Sequence, residues 1–238
     1  MKALIFSLLC ISASLQAADR PNIILIMVDD MGWSDIGCYG GEVDTPNLDQ
    51  LAAEGMRFTQ FYNNAKCTTT RASIVPGLWP RPEGDLLKTN MVTLGEVLGD
   101  AGYATALSGK WHLGNSATTH PFHRGFQEYY GLLDGCCNFF NPLQPDPEYK
   151  GGRIRKFGHN DQLVKSFPKN YYTTDAFTDH AIETIQKNVL TDTERPFFHH
   201  ITYTAPHYPL HAKPEDIAKY KGKFLMGWEK MREQRYER

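Results

Sequence analysis

A thiol stands four residues before an arginine in the run Cys67-Thr68-Thr69-Thr70-Arg71-Ala72-Ser73, between a stretch of strand character and a plausible helix. Exposed backbone N–H groups and a guanidinium both favour a thiolate or another anion at such a place. Other chemistry-bearing residues follow apolar runs. Asp29-Asp30 ends the first of these runs, Lys110 and His112 lie in Gly109-Lys110-Trp111-His112-Leu113-Gly114, and His207 sits between Pro206 and Pro209. Adjacent aspartates suit a hard cation bound by oxygens, Ca²⁺ or Mg²⁺, better than zinc. The glycines around Lys110 permit a tight turn with Trp111 as an anchor. The prolines limit the backbone at His207, which suits a positioned acid or base.

Each element alone has an ordinary reading: a small buried thiol, a capping aspartate pair, a surface lysine. Their order along the chain argues otherwise, because four separate strand ends deliver two carboxylates, a thiol and several cationic groups. In open α/β sheets ligands bind beyond the carboxyl ends of the strands. The set describes a site for an oxyanion with multiple negative charges. The cation and the Lys, Arg and His groups would stabilise charge growing on a sulfate or phosphate, and the Cys67 position would supply the nucleophile. These residue types do not separate sulfur from phosphorus. His199, His200 and His211 carry no comparable frame and are expected to be structural or surface residues.

The elements that must position these groups alternate between strand and helix. Asn22 to Val28 is a continuous apolar run, the pattern of a strand buried on both faces. Thr45 and Pro46 form a cap and first turn for a helix with Leu48, Leu51, Ala52 and Met56 on its apolar face. Arg57 to Tyr62 alternates as a second strand. Thr93 and Glu96 make a capping box for a helix that Gly102 ends, and Tyr103 to Leu107 is a third strand. Asp175 to Val189 is an amphipathic helix, and Pro196 to Tyr203 is a fourth strand. Residues 134 to 172, rich in Gly, Pro, Asn and aromatics, are expected to be an irregular excursion over one sheet edge. The fold class is therefore α/β, a mostly parallel central sheet flanked by helices.

Composition sets the outer bounds. With 238 residues, 41% hydrophobic and 22% charged, the chain can bury one large core, and a formal charge of −2 gives no hint of a nucleic-acid partner. Residues 1–17 have the basic start, short apolar run and small-residue site of a secretory signal peptide. The expected location is exported, periplasmic or extracellular, with no membrane span after signal cleavage. Cys38, Cys67, Cys136 and Cys137 then remain, with pairing left open.

The chain resembles a formylglycine-dependent sulfatase, arylsulfatase-like, of the alkaline phosphatase superfamily. The resemblance rests on Pro21-Asn22-Ile23-Ile24 through Gly32, Thr45 through Gly55, Cys67 through Ser73, Gly109 through Gly114, Arg124-Gly125-Phe126 and Ala205 through Leu210, in the family's order. It implies an alkaline phosphatase-like fold and hydrolysis of a sulfated carbohydrate or aryl sulfate. It also implies that a maturation enzyme oxidises Cys67 to formylglycine, whose hydrated aldehyde oxygen attacks sulfur. By the same resemblance Asp29, Asp30 and the modified Cys67 would bind Ca²⁺. Arg71 and Lys110 would hold the formylglycine and sulfate oxygens, His112 would lie by the formylglycine hydroxyl, and His207 would bond the sulfate near the leaving oxygen. Asp134-Gly135 to Asn141-Pro142 resembles the family's variable substrate-facing region.

Three departures accompany the resemblance. Thr69 stands where the family has Pro or Ala, and Pro76-Gly77 where it has Thr-Gly, so that Pro76 is expected to threaten the helix carrying Arg71. The family continues beyond the length of this chain, with an Asp-Asn pair completing the calcium site and a second sulfate-binding lysine. The expectation is a sulfatase N-terminal catalytic domain over 18–238, incomplete and truncated at the C-terminus, with weak or absent activity by itself. A phosphodiesterase or phosphonate hydrolase of the same superfamily, or an inactive sulfatase-like protein, are the alternatives left open.

Overall fold

The computed structural model describes residues 20–80, 86–192 and 194–223, so the leader expected over residues 1–17 lies outside the described residues. Six strands form one sheet: β1 (Ile23–Asp29), β2 (Ala104–Gly109), β3 (Glu128–Leu132), β4 (Phe157–His159), β5 (Gln162–Leu163) and β6 (Phe197–Pro206). Their spatial order is β1-β6-β2-β3-β4-β5. β1, β6, β2 and β3 run parallel, and β4 and β5 add an antiparallel margin. The mostly parallel α/β sheet read from the sequence is thus present.

Helices lie on both faces. α1 (Pro46–Glu54), α2 (Cys67–Ile74) and α3 (Leu94–Asp100) precede β2, α4 (Thr173–Thr191) precedes β6, and α5 (Pro214–Tyr220) follows it. The pleat sorts the strand side chains between the layers. Leu107 and Phe198 join Trp111, Phe126 and Tyr129 in a core that Ala72 and Val75 of the α2 segment complete, with Leu94 and Leu98 of α3 packed against it. Ser108 and His199 face the other way, toward His180 of α4. A second cluster of Leu132, Phe139, Phe157, Tyr171 and Phe177 anchors the antiparallel margin.

Local sequence rules account for several boundaries. The Thr93 hydroxyl accepts from the Glu96 N–H at 3.1 Å while the Glu96 carboxylate accepts from the Thr93 N–H at 2.7 Å, the reciprocal box the sequence announces. Arg124 ties this helix start to the sheet, since its Nε donates to Glu96 Oε1 at 2.8 Å. Gly125 must lack a side chain, because a Cβ there would lie 2.2 Å from the Glu96 nitrogen. Pro76 does no harm to α2, which ends at Ile74 with Val75 as its cap. Thr45 does not cap α1 through its side chain: its hydroxyl accepts from the Gly37 N–H at 2.8 Å and donates to the Asp49 carboxylate at 3.0 Å.

Three expectations are corrected. β1 is not buried on both faces: it alternates, with Ile24 and Ile26 about half exposed, and it lies at the sheet edge, paired to β6 on one side. Residues 57–62 are not a strand. They have no ladder partner and are held instead by Arg57 Nη1 donating to Cys38 O and Tyr39 Oη donating to Phe58 O. The apolar face of α1 is also largely open, with Leu48 and Leu51 exposed, and Met56, expected on that face, lies beyond the helix end. Residues 134–172 prove more ordered than a wandering loop, since β4 and β5 pair within them. The four cysteines among the described residues are free thiols.

Candidate active site

The carboxyl end of β1 and the first turn of α2 line one cleft, beside Asp29, Asp30, Cys67, Thr70 and Arg71, and residues after β2 and β6 reach it through contacts with Asp29, Cys67 and Asp30. Cys67 is the first residue of α2, after an extended Lys66 at φ −146°. Arg71 follows one helical turn later and so projects from the same side as Cys67. The helix is only partly polar on this side because Ala72 and Val75 turn inward to the core. That amphipathic split is what fixes the direction in which Cys67 and Arg71 point.

Arg71 is almost completely buried. Its Nη1 donates to the Lys110 carbonyl, and Nη2 stands 3.6 Å from Asp29 Oδ2. Its Nε and Nη2 are buried without a hydrogen-bond acceptor. Unmatched buried N–H groups of a cation are costly, and an anion is the partner that relieves the cost.

Lys110 is fully buried and sets its ammonium directly against Asp29 Oδ2. Its main chain is pinned from β6: the Lys110 N–H donates to Thr202 O at 2.8 Å, and the Thr202 hydroxyl donates back to the Lys110 carbonyl at 2.7 Å. The approach requires Gly109, whose φ is 124° and whose missing Cβ would lie 1.9 Å from Thr202 O. Trp111 anchors the next step, with its indole N–H donating to Thr119 O at 2.9 Å.

His112 Nδ1 lies 3.1 Å from Cys67 Sγ. Burial, then the nearby Lys110 and Arg71 charges, pull its pKa down to about 4, so the imidazole is neutral at neutral pH. The ring packs on Gly135, where a Cβ would fall 2.3 Å from His112 Cε1. His207 follows β6 and places Nε2 3.7 Å from Asp30 Oδ2.

All seven residues singled out in the sequence therefore fall within one linked group: Asp29, Asp30, Cys67, Arg71, Lys110, His112 and His207. Asp30, Ala65 and His112, at φ 66°, 52° and 56°, are non-glycine residues in the left-handed region. Such strained backbone costs ~1–3 kcal/mol per residue and gathers where surrounding structure holds a site in place. Thr202 escaped the sequence reading, and Gly135 entered it only within the stretch resembling the family's substrate-facing region. Thr202 lies inside an unremarkable strand, and nothing in the sequence around Gly135 points to His112.

A hard cation fits the donor type on offer. Asp29 and Asp30 supply only oxygens at the cleft, though two carboxylates give a fraction of the ~6–8 oxygens that calcium takes. Asp29 also shares its charge with Lys110 and Arg71. The arrangement can hold a divalent cation and an oxyanion side by side.

Comparison with known proteins gives a concordant result. The Sulfatase family model matches residues 21–238. An arylsulfatase of Klebsiella aerogenes is 32% identical over 100% of this chain and 54% of its own length. The crystal structure of Ps i-CgsB in complex with k-i-k-neocarrahexaose aligns with a TM-score of 0.73 at 34% identity, over 84% of this chain and 48% of that one. The structure of BT4656 in complex with its substrate D-glucosamine-2-N,6-O-disulfate aligns with a TM-score of 0.65 at 27% identity, over 87% and 39% of the two chains. The chain spans about half the length of the curated relatives it matches.

Proposed function

The chain belongs to the sulfatase family and has its alkaline phosphatase-like fold, and from that premise we propose that it acts in hydrolysis of a sulfate ester, of a sulfated carbohydrate or an aryl sulfate. The observation that carries this reading is the placement of Cys67 at the head of α2, 3.1 Å from His112, beside a buried arginine with unmatched donors.

Asp29 and Asp30 would hold the cation, proposed to be Ca²⁺, which when bound adds positive charge beside the sulfate oxygens. Cys67, oxidised to formylglycine by a maturation enzyme, would supply the hydrated aldehyde hydroxyl as nucleophile. The remaining work falls to side chains already in place. Arg71 and Lys110 bind sulfate oxygens and orient the ester against residue 67, in a site where charge is poorly screened. Neutral His112 holds a proton at the residue 67 hydroxyl. His207 reaches the leaving-group side, where it donates to the ester oxygen as the bond to sulfur breaks. The proposed domain runs over residues 18–238, with residues 1–17 as a leader directing export to the periplasm or the extracellular space. The glucosamine disulfate bound by one structural relative supports the sugar class.

Parallel assays with an aryl sulfate and an aryl phosphodiester test the reading. Weak cleavage of the sulfate, lost in Cys67→Ala, is expected. A preference for the phosphodiester, or full activity in Cys67→Ala, would overturn it.

A further inference from the structure

A second group of ligating side chains lies on the face of the sheet that α4 covers. Glu128 opens β3, His159 closes β4, and His180 stands on α4. His159 Nε2 is 3.3 Å and His180 Nε2 is 3.7 Å from Glu128 Oε1, and the three ligand atoms lie within 4.8 Å of one another. Zinc bonds to nitrogen and oxygen are ~2.0–2.2 Å, so tetrahedral ligands stand roughly 3.3–3.6 Å apart. The two separations from Glu128 are already near that value.

The group is also oriented from behind. Ser108 Oγ lies 2.6 Å from His180 Nδ1 and 2.7 Å from His199 Nε2. Both Ser108 and His199 are buried, and His199 Nδ1 has no partner. Two proton arrangements satisfy this chain of contacts, and in one of them His180 Nδ1–H donates to Ser108 while the Ser108 hydroxyl donates to His199 Nε2. That tautomer leaves the His180 Nε2 lone pair directed away from Ser108, and a metal-bound histidine characteristically donates its other N–H in this way. Tyr130 holds both imidazoles, with ring centroids 5.2 Å from His180 and 5.6 Å from His159.

We propose that Glu128, His159 and His180 form a binding site for a divalent transition-metal ion, with Zn²⁺ as the occupant and solvent completing its fourth position. Two imidazoles and one carboxylate favour zinc over the oxygen-preferring calcium or magnesium. The site shares no residue with the Cys67 cleft, and its ion would clamp β3, β4 and α4 together. The competing account pairs both imidazoles with Glu128 directly and runs the relay in reverse, with the Ser108 hydroxyl donating to His180 Nδ1.

The test is equilibrium titration of the chelator-stripped protein with Zn²⁺, followed by Co²⁺ as an absorbing substitute. His159→Gln removes an exposed ligand and Cys67→Ser removes the other thiol-imidazole candidate. One equivalent of Zn²⁺ is expected in the wild type and in Cys67→Ser, with affinity falling about 10–100-fold in His159→Gln and in Glu128→Gln. The Co²⁺ complex should show the intense visible bands of a four-coordinate ion in the wild type alone of these three ligand-set proteins. Unchanged affinity in His159→Gln, or no stoichiometric Zn²⁺ in the wild type, would overturn the proposal. A thermal melt without metal checks that each variant is folded.

Discussion

Cys67 Sγ and His112 Nδ1 are 3.1 Å apart, although 45 residues separate them in the chain. The contact joins the head of α2 to the turn after β2, and the proton-handling part proposed for His112 at residue 67 rests on it. His112→Ala should lower kcat/KM for an aryl sulfate by about 10²–10⁴-fold, the usual range for a lost acid–base group. Steady-state kinetics of the variant decide the point, since a loss below about threefold would remove His112 from the mechanism.

Gly135→Ala should act through the same ring. The added methyl meets His112 Cε1 at 2.3 Å and must push the imidazole away from residue 67. Displacements of about 1 Å at reacting groups can cost ~10²-fold in rate. We expect kcat to fall on that scale while circular dichroism stays native. A wild-type kcat in a folded Gly135→Ala protein refutes the assignment.

Asp29 balances two buried cations, Lys110 and Arg71. Asp29→Asn leaves both without a counter-charge and should destabilise the protein by about 3–5 kcal/mol. Adding Lys110→Met to that variant should restore part of the loss, which a double-mutant cycle in urea measures. Calcium should raise the melting temperature of the wild type and leave Asp29→Asn unmoved. An equal calcium shift in both proteins would take Asp29 out of the cation site.

Acid sensitivity should trace in part to His200. It is buried between Phe126 and Phe198, with Nδ1 3.1 Å from Leu25 O, and burial, offset by that bond and reinforced by Arg71, pulls its pKa to about 4. The unfolded chain, with a value near 6.5, binds the proton first on acidification. The neutral form's contribution is therefore complete above pH ~6.5 and falls by about 1.4 kcal/mol per pH unit down to pH ~4. His200→Phe should flatten the urea-stability profile by that slope across this window. A profile of unchanged steepness would count against a neutral buried His200.

Much of this site was legible because Asp29, Lys110, His112 and His207 lie at or just after strand ends, which in a parallel sheet converge on one edge, whereas Cys67 and Arg71 come from α2 with no strand before them. The Thr93–Glu96 box and the long amphipathic α4 were readable for similarly local reasons. The misreadings were non-local. Residues 57–62 have alternating polarity yet no strand to pair with, and no pattern within six residues reports a missing partner. β3, β4 and β5 were passed over because Glu128–Leu132 and the short margin strands carry too few residues to display a period. Thr202 and Gly135 matter through contacts with Lys110 and His112, which sequence spacing does not encode. The same holds for Glu128, His159 and His180, drawn together from three elements.

Lys110 combines a main chain that cannot move with a side chain that can. Its carbonyl accepts from both Arg71 and Thr202 while its N–H is spent on Thr202 O. In the proposed reaction, an exchange of the ammonium from Asp29 to an incoming sulfate oxygen would need only side-chain torsions. The surrounding dipoles stay where they are, so the transfer carries little reorganisation energy. Under that proposal, a carboxylate drawn away by a cation and a lysine released toward an anion would become two halves of one exchange of counter-ions.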